Sequence, residues 1–365
     1  ATIGGMAGNN SCGARSVRYG LMRDNVLTID ALLANGSEAA FGPLPEDPGG
    51  VEGPAFYRQL VRSMVELADR ESGEITSRFP KVHRRVGGYN IDALLPPSTG
   101  KSQRNMAQLL VGSEGTLAFT RRLTLQLQPI PERKALGICH FSSFYQAMAS
   151  TQHIVKLKPD AVELVDRTLI ELALDIPMFR DTLTRHVRGR PDALLLVEFS
   201  GEDPVHLERQ LADLNSLLSD LGHSDSVVKI TDAGEQRAVW EVRKAGLNIM
   251  MSMKGDGKPV SFIEDCAVPL EHLADFTDRL TGIFRDHGTS GTWYAHASEG
   301  CLHVRPVLNM KSAGDVQKMR SIAEKAFAMV REYGGSHSGE HGDGIVRSEF
   351  HPVMFGDRML DIFGD

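Results

Sequence analysis

The sequence predicts an α+β protein, on three observations. Apolar runs of strand length, such as Ala193 to Ser200 and Ser226 to Ile230, alternate with amphipathic stretches of helix length through the second half of the chain. The stretch Val205 to Leu221 sets Leu207, Leu211, Leu214, Leu218 and Leu221 at spacings of four and three, which places them on one helix face. At 365 residues the chain is long for one domain, so two are expected. This order of elements suits a mainly antiparallel sheet with helices on one face.

Taken from the start, residues up to Gly20 are rich in Gly and Asn and read as a loop system whose main-chain N–H groups can approach a phosphate or a cofactor ring. Val26 to Leu33 then suits a strand before the Asn35-Gly36 turn. Glu38 to Gly53, with its Pro, Gly and acids, reads as a surface insertion. A helix follows from about Ala55 to Asp69, with Phe56, Leu60, Met64 and Leu67 as its apolar stripe. Val86 to Leu95, V-G-G-Y-N-I-D-A-L-L, and Leu110 to Phe119, L-V-G-S-E-G-T-L-A-F, carry polar groups among apolar ones; the second reads as a helix end, a tight turn and a strand. The pattern changes after Pro129 and Pro131, so the domains are expected to be 1–131 and 132–365. Beyond the leucine helix come a helix at Glu235 to Met250, a strand at Pro259 to Glu264 and a helix at Leu270 to Asp286. A hairpin at His296 to His303 and a helix at Asp315 to Tyr333 complete the order, and Gly334-Gly335 stops that helix.

The balance of 40 basic against 47 acidic residues, net −7, with no basic run, argues against nucleic acid or an anionic membrane as the main partner and favours a small molecule. Cys12, Cys139, Cys266 and Cys301 are scattered without a C-x-x-C pair, which fits neither a disulfide framework nor an iron–sulfur or structural zinc motif. They read as reduced thiols of the cytoplasm, with peripheral membrane association left open. No apolar run has transmembrane length, and no signal peptide opens the chain.

Two stretches carry chemistry. Ser336 to Gly344, S-H-S-G-E-H-G-D-G, offers Glu340, His341 and Asp343 on a backbone that Gly339, Gly342 and Gly344 allow to turn tightly. Upstream, His296 to Arg305 reads H-A-S-E-G-C-L-H-V-R. A two-residue turn at Glu299-Gly300 would pair Ser298 with Cys301 and set His296 opposite His303. With Glu340 the two imidazoles make the nitrogen and oxygen set of catalytic zinc sites, a set that manganese or iron(II) also accepts. A metal hydrolase would use the same ligands.

In order, I-G-G-M-A-G-N-N-S-C-G-A-R-S-V-R-Y-G, G-Y-N-I-D-A-L-L, V-G-S-E-G-T-L-A-F, V-W-E-V-R, H-A-S-E-G-C-L-H and G-E-H-G-D-G resemble the FAD-linked 2-hydroxyacid dehydrogenases of the vanillyl-alcohol oxidase superfamily. That family includes D-lactate dehydrogenase, the glycolate oxidase flavin subunit and D-2-hydroxyglutarate dehydrogenase. The resemblance implies the C-terminal part of an FAD-binding domain in 1–131 and a substrate, or cap, domain with a metal site in 132–365. It implies that FAD is lined by Gly4, Gly5, Asn9, Asn10, Ser11, Gly13 and Tyr19, with Gly112, Ser113, Glu114 and Gly115 close by. His296, His303 and Glu340 would hold a divalent metal, usually zinc, with His341 as catalytic base. Arg243 would clamp a substrate carboxylate through its planar fork. Glu340 and His341 are neighbours, whose side chains diverge in extended backbone, so the glycines must twist the loop for both to serve one site.

The implied reaction is oxidation of a D-2-hydroxyacid, D-2-hydroxyglutarate or D-lactate, to the 2-oxoacid, with hydride passing to flavin N5 and electrons on to an unnamed acceptor. Two positions depart from the family. Arg305 stands where a polar residue is usual and would bind a second carboxylate or displace a contact; Leu247 stands where the hydroxyglutarate enzymes have a hydroxyl. G-C-L-H-V-R-P with F-I-E-D resembles a bacterial branch whose full chains carry a further iron–sulfur domain. The family also has an upstream Gly-rich segment that cradles the FAD pyrophosphate, and this chain begins after it. The expectation is therefore a fragment of a larger bacterial member with poor or no flavin affinity. The alternative reading is a non-catalytic metal- and carboxylate-binding fragment.

Overall fold

The structure, a computed structural model, describes residues 1–96 and 103–365. It forms two compact units: Ala1–Gly13 with Gly20–Gln128 and Ser338–Asp365, and Ala14–Tyr19 with Pro129–His337. No single cut, such as the one expected after residue 131, yields these units, because the tail from Ser338 belongs with the first. Local packing accounts for the tail: Val86 N donates to Ser338 O at 3.0 Å, and Phe355 and Phe363 pack edge-on against Phe79.

In the first unit, the expected opening loop is a helix over Ile3–Asn9. Thr2 Oγ1 accepts from Gly5 N at 3.1 Å, and Asn10 closes the helix in the left-handed region at φ 55°. Caps at both ends offset the poor helix propensity of the glycines. β1 (Val26–Leu32), β2 (Glu38–Phe41) and β3 (Phe119–Leu125) form an antiparallel sheet in the order β2-β1-β3. β2 takes up the start of the expected surface insertion by pairing back on β1 from Ile29↔Phe41 to Leu32↔Glu38. The helix Ala55–Arg70 buries Tyr57, Val61, Val65 and Ala68, whereas the expected stripe of Phe56, Leu60, Met64 and Leu67 is half-buried beside them. The two stripes are neighbouring faces one residue apart, and the one ending in small Ala68 seats more closely.

The second unit is built on one sheet of β4 (Arg133–Phe141), β5 (Ala161–Asp166), β6 (Ala193–Gly201), β7 (Val227–Ile230), β8 (Lys258–Pro259), β9 (Cys266–Ala267), β10 (Gly291–His296) and β11 (Cys301–Leu308). Its order is β7-β4-β6-β5-β10-β11-β8 with β9 also on β11, and every pairing is antiparallel. Helices cover both faces, not one. Leu136, Ile138, Val165, Leu194 and Leu196 pack with Leu169, Val239 and Met250. On the opposite face of β4, a Cβ at Gly137 would come within 2.7 Å of Leu214 of the helix Pro204–Asp220, so glycine permits that helix to lie close. Central strands buried on both sides read as continuous apolar runs, which hides how many layers cover them.

Two elements differ from expectation. The helix expected at Glu235 to Met250 is two, Ala233–Lys244 and Gly246–Met251, joined where a Cβ at Gly246 would press on Leu169 at 3.2 Å. Of the strand expected at Pro259 to Glu264, only Lys258–Pro259 joins the ladder, against Leu308 and Val307. Apart from a bond from Val260 N to Pro306 O, the chain there turns away, and Asp265 adopts φ 83°. The helices Leu273–Asp286 and Ala313–Glu332 stand where the periodicity puts them.

Candidate functional site

In the second unit β10 and β11 pair with Tyr294 opposite His303 and His296 opposite Cys301. The expected two-residue turn, with His296 facing His303, is replaced by a longer one: Ala297–Glu299 form a 3-10 turn closed by Gly300 at φ 64°. A Cβ at Gly300 would lie 2.0 Å from Val268 O, so the close backbone approach of Val268 sets this turn. His296 is thus diagonal to His303 on the same face, and the imidazoles still meet edge to face with centroids 5.0 Å apart. Tyr294 stacks on His303 at 4.8 Å, and the Arg243 guanidinium lies 4.7 Å over the Tyr294 ring.

β5 brings Glu163 opposite His296. Its carboxylate, 1% exposed, accepts from Arg243 Nη2 at 2.6 Å and pairs with His296 Nδ1 at 2.7 Å. Arg243 comes from the last turn of the helix Ala233–Lys244 and is buried, and its Nε has no hydrogen-bond partner among the described residues. A cavity of about 900 Å³ is lined by Glu163, Arg243 and His296 together with Arg15, Glu198 and Trp240. Arg305, also buried, donates to Glu264. Glu163 and Glu264 are absent from the sequence-based set. The available signal for Glu163 is a lone acid between apolar residues in A-V-E-L-V, where a buried charge requires partners.

In the first unit the part of the S-H-S-G-E-H-G-D-G loop from Ser338 to Gly344 is anchored at Glu340. Its carboxylate accepts from the fully buried Arg84, and its main-chain oxygen accepts from Asn9 Nδ2 at 2.8 Å. The side chains of Glu340 and His341 approach each other, Oε1 to Nε2 at 3.3 Å, instead of diverging. Bent backbone at Glu340 and His341 and a left-handed Gly342 at φ 84° allow this, and a Cβ at Gly342 would strike Glu114 Oε1 at 2.3 Å. His341 is exposed.

The same unit joins the two Gly-rich segments of the expected cofactor set. Gly112 N donates to Ala7 O at 3.0 Å and Glu114 N to Gly8 O at 2.9 Å, while Asn10 Oδ1 accepts from Arg23 N at 2.9 Å. Tyr19, with the segment Ala14–Tyr19, belongs to the second unit. A cavity of about 360 Å³ is lined by Tyr89, Gly112, Ser113, Glu114 and Asp343 among others. Burial, with Asp343 nearby, pushes the Glu114 carboxyl above its ordinary range.

Residues 130–364 match the family of FAD linked oxidases, C-terminal domain, and residues 1–41 match an FAD binding domain. Among curated proteins the chain is similar to D-2-hydroxyglutarate dehydrogenase of Pantoea ananatis, with 30% identity over 99% of this chain and 36% of that protein. It is 23% identical to glycolate oxidase subunit GlcD of Bacillus subtilis, covering 99% of this chain and 64% of that one. A probable mitochondrial D-lactate dehydrogenase of Danio rerio is 24% identical, with 97% and 60% covered. The chain thus spans about a third of the length of the hydroxyglutarate relatives. Among solved structures, 4-ethylphenol oxidase from Gulosibacter chungangensis has a TM-score of 0.54 at 11% identity, covering 94% of this chain and 63% of that one. An alkyldihydroxyacetonephosphate synthase has a TM-score of 0.52 at 15% identity, covering 92% and 53%. These likenesses give the fold, the α+β vanillyl-alcohol-oxidase type expected from the motifs. With the C-terminal family matched across 130–364, the chain belongs to the FAD-linked oxidases.

Proposed function

We propose that the protein takes part in oxidising a D-2-hydroxyacid, D-2-hydroxyglutarate or D-lactate, to the 2-oxoacid. The observation that carries this reading is the buried Arg243, with its Nε unpartnered among the described residues, beside the converging imidazoles of His296 and His303. Relatives aligned over 97–99% of this chain are named for those two substrates. Arg243 binds the 1-carboxylate, with Glu163 accepting from one of its terminal nitrogens and the Tyr294 face supporting the guanidinium.

The two imidazoles suit a zinc ion, with Glu340 as the third ligand and a position left for substrate. Bound there, the metal supplies a lowered pKa at the 2-hydroxyl, and FAD supplies a hydride acceptor at N5. His341 takes the hydroxyl proton near neutral pH, and the adjacent Glu340 carboxylate orients its ring. The helix Ile3–Asn9 and the Gly112-Ser113-Glu114-Gly115 turn, already bonded to one another, form the wall on which the flavin rests. Arg305, held by Glu264, bears on the distal end of the substrate.

The test is reduction of an artificial dye with D-2-hydroxyglutarate and with D-lactate, alongside zinc analysis. Activity that disappears in His341→Ala while zinc stays bound is the expected result. Undiminished turnover in that variant would remove His341 from the mechanism. Zinc without flavin or turnover would favour a metal- and carboxylate-binding part of a longer enzyme.

A further inference from the structure

Glu163 faces two functional groups at once. It sits opposite His296 across the β5–β10 pairing, with Oε1 2.7 Å from His296 Nδ1 and Oε2 2.6 Å from Arg243 Nη2. We propose that Glu163 is a positioning residue that holds His296 in the tautomer presenting Nε2 to a metal and, with its other oxygen, aims Arg243 at a substrate carboxylate. This rests on the roles given above to His296 and Arg243.

An ionised carboxylate only accepts hydrogen bonds, so the His296 nitrogen facing it carries the proton and Nε2 keeps its lone pair. Histidine ligands oriented this way by a carboxylate lose about 10–100-fold in metal affinity when the carboxylate is altered. On the other side, Glu163 accepts from one terminal nitrogen of Arg243 and the Tyr294 ring supports the guanidinium plane, which fixes how the guanidinium lies beside the cavity that Arg243 lines. The arrangement also resolves an energetic difficulty. A carboxylate at 1% exposure is costly without donors on both oxygens, and the strand opposite and the helix end each supply one. Glutamine at this position would present N–H to one of the two donors, so it can serve both only if the His296 proton moves to Nε2.

The experiment is nitrogen-15 NMR of the histidines in metal-free protein, wild type and Glu163→Gln, followed by zinc titration and substrate kinetics at saturating zinc. In the wild type, His296 is expected with its proton on Nδ1. In Glu163→Gln the tautomer shifts toward Nε2–H, zinc affinity falls about 10–100-fold, and KM rises about tenfold or more with a smaller change in kcat. A wild-type His296 protonated on Nε2, or a Glu163→Gln variant with unchanged zinc affinity and KM, would overturn the proposal. If Glu163→Gln folds poorly, Glu163→Asp, which keeps the charge but withdraws it by one methylene, is expected to weaken the same two properties; wild-type values there count against the role. Wild-type protein that binds no zinc would instead overturn the metal in the function proposed above, and the wild-type tautomer would still decide how Glu163 orients His296.

Discussion

Arg243 and His341 are expected to fail differently when changed. Arg243→Ala leaves Glu163 buried without its cation and removes the carboxylate fork, so KM should rise by about 100-fold or more, equivalent to roughly 3 kcal/mol. Arg243→Lys should recover little of it, since a point charge does not reproduce the fork. His341→Ala should instead lower kcat by about 10²–10⁴ with zinc content unchanged. A third side chain is expected to write itself into the pH dependence of stability. Burial raises the Asp166 carboxyl from 3.8 to about 6, even though it accepts from Leu169 N and Trp293 N. The native state therefore holds this proton to higher pH than the unfolded chain does. Its stabilising contribution, at most about 3 kcal/mol, is fully present below about pH 4 and is lost as pH rises through about 6. Asp166→Asn should flatten the change in urea midpoint between those values, and an unchanged slope would show that Asp166 does not titrate there. His296 and His303 could be named from their spacing and Arg243 from the family resemblance, whereas Glu163 could not. An acid in an apolar strand reveals its role only when its two donors, 80 and 133 residues away in sequence, are seen beside it.

The β10–β11 hairpin shows how an element can be foreseen while its register is not. Both histidines, the turn between them and their common face were readable from H-A-S-E-G-C-L-H. The pairing of His296 with Cys301 was not, because it depends on Val268 O closing over Gly300 from another part of the chain. Gly300→Ala therefore brings a Cβ into that oxygen at a left-handed φ and is expected to cost about 2 kcal/mol or more. Zinc binding should weaken in parallel, because His296 flanks the turn. Native urea stability with native zinc affinity in this variant would show that the turn tolerates a side chain. The leucine helix at Pro204–Asp220 was legible because its period is strong and its burial one-sided. The helix Ile3–Asn9 was not, since its stability lies in a threonine cap and a left-handed asparagine at either end of a sequence rich in glycine.

For the entire chain, the first-order expectation is spectroscopic: purified protein that carries flavin should show the visible flavin bands and about one equivalent of zinc. Zinc with no flavin bands would confine the cofactor role to a longer polypeptide. The second unit also depends on a short segment from near the start of the chain. Arg15 forks onto fully buried Glu198 at 2.5 and 2.9 Å, with Lys134 as a further partner at 3.2 Å, and Arg18 pairs with Asp160 at 2.6 Å. Arg15→Ala should cost about 1–3 kcal/mol, because Lys134 only partly compensates Glu198. Hydrogen exchange should rise across residues 14–19, and unchanged protection there would mean the pair does not hold the segment. Family and fold class were legible in the sequence alone, since they reside in local motifs, their order, and periodic burial. The two-sided cover of the large sheet, the return of the tail from Ser338 to the first unit, the diagonal register of the histidines and the sharing of Glu163 were decided only by tertiary structure. These depend on which distant backbones approach closely and which buried charges find partners, and neither is encoded in local spacing.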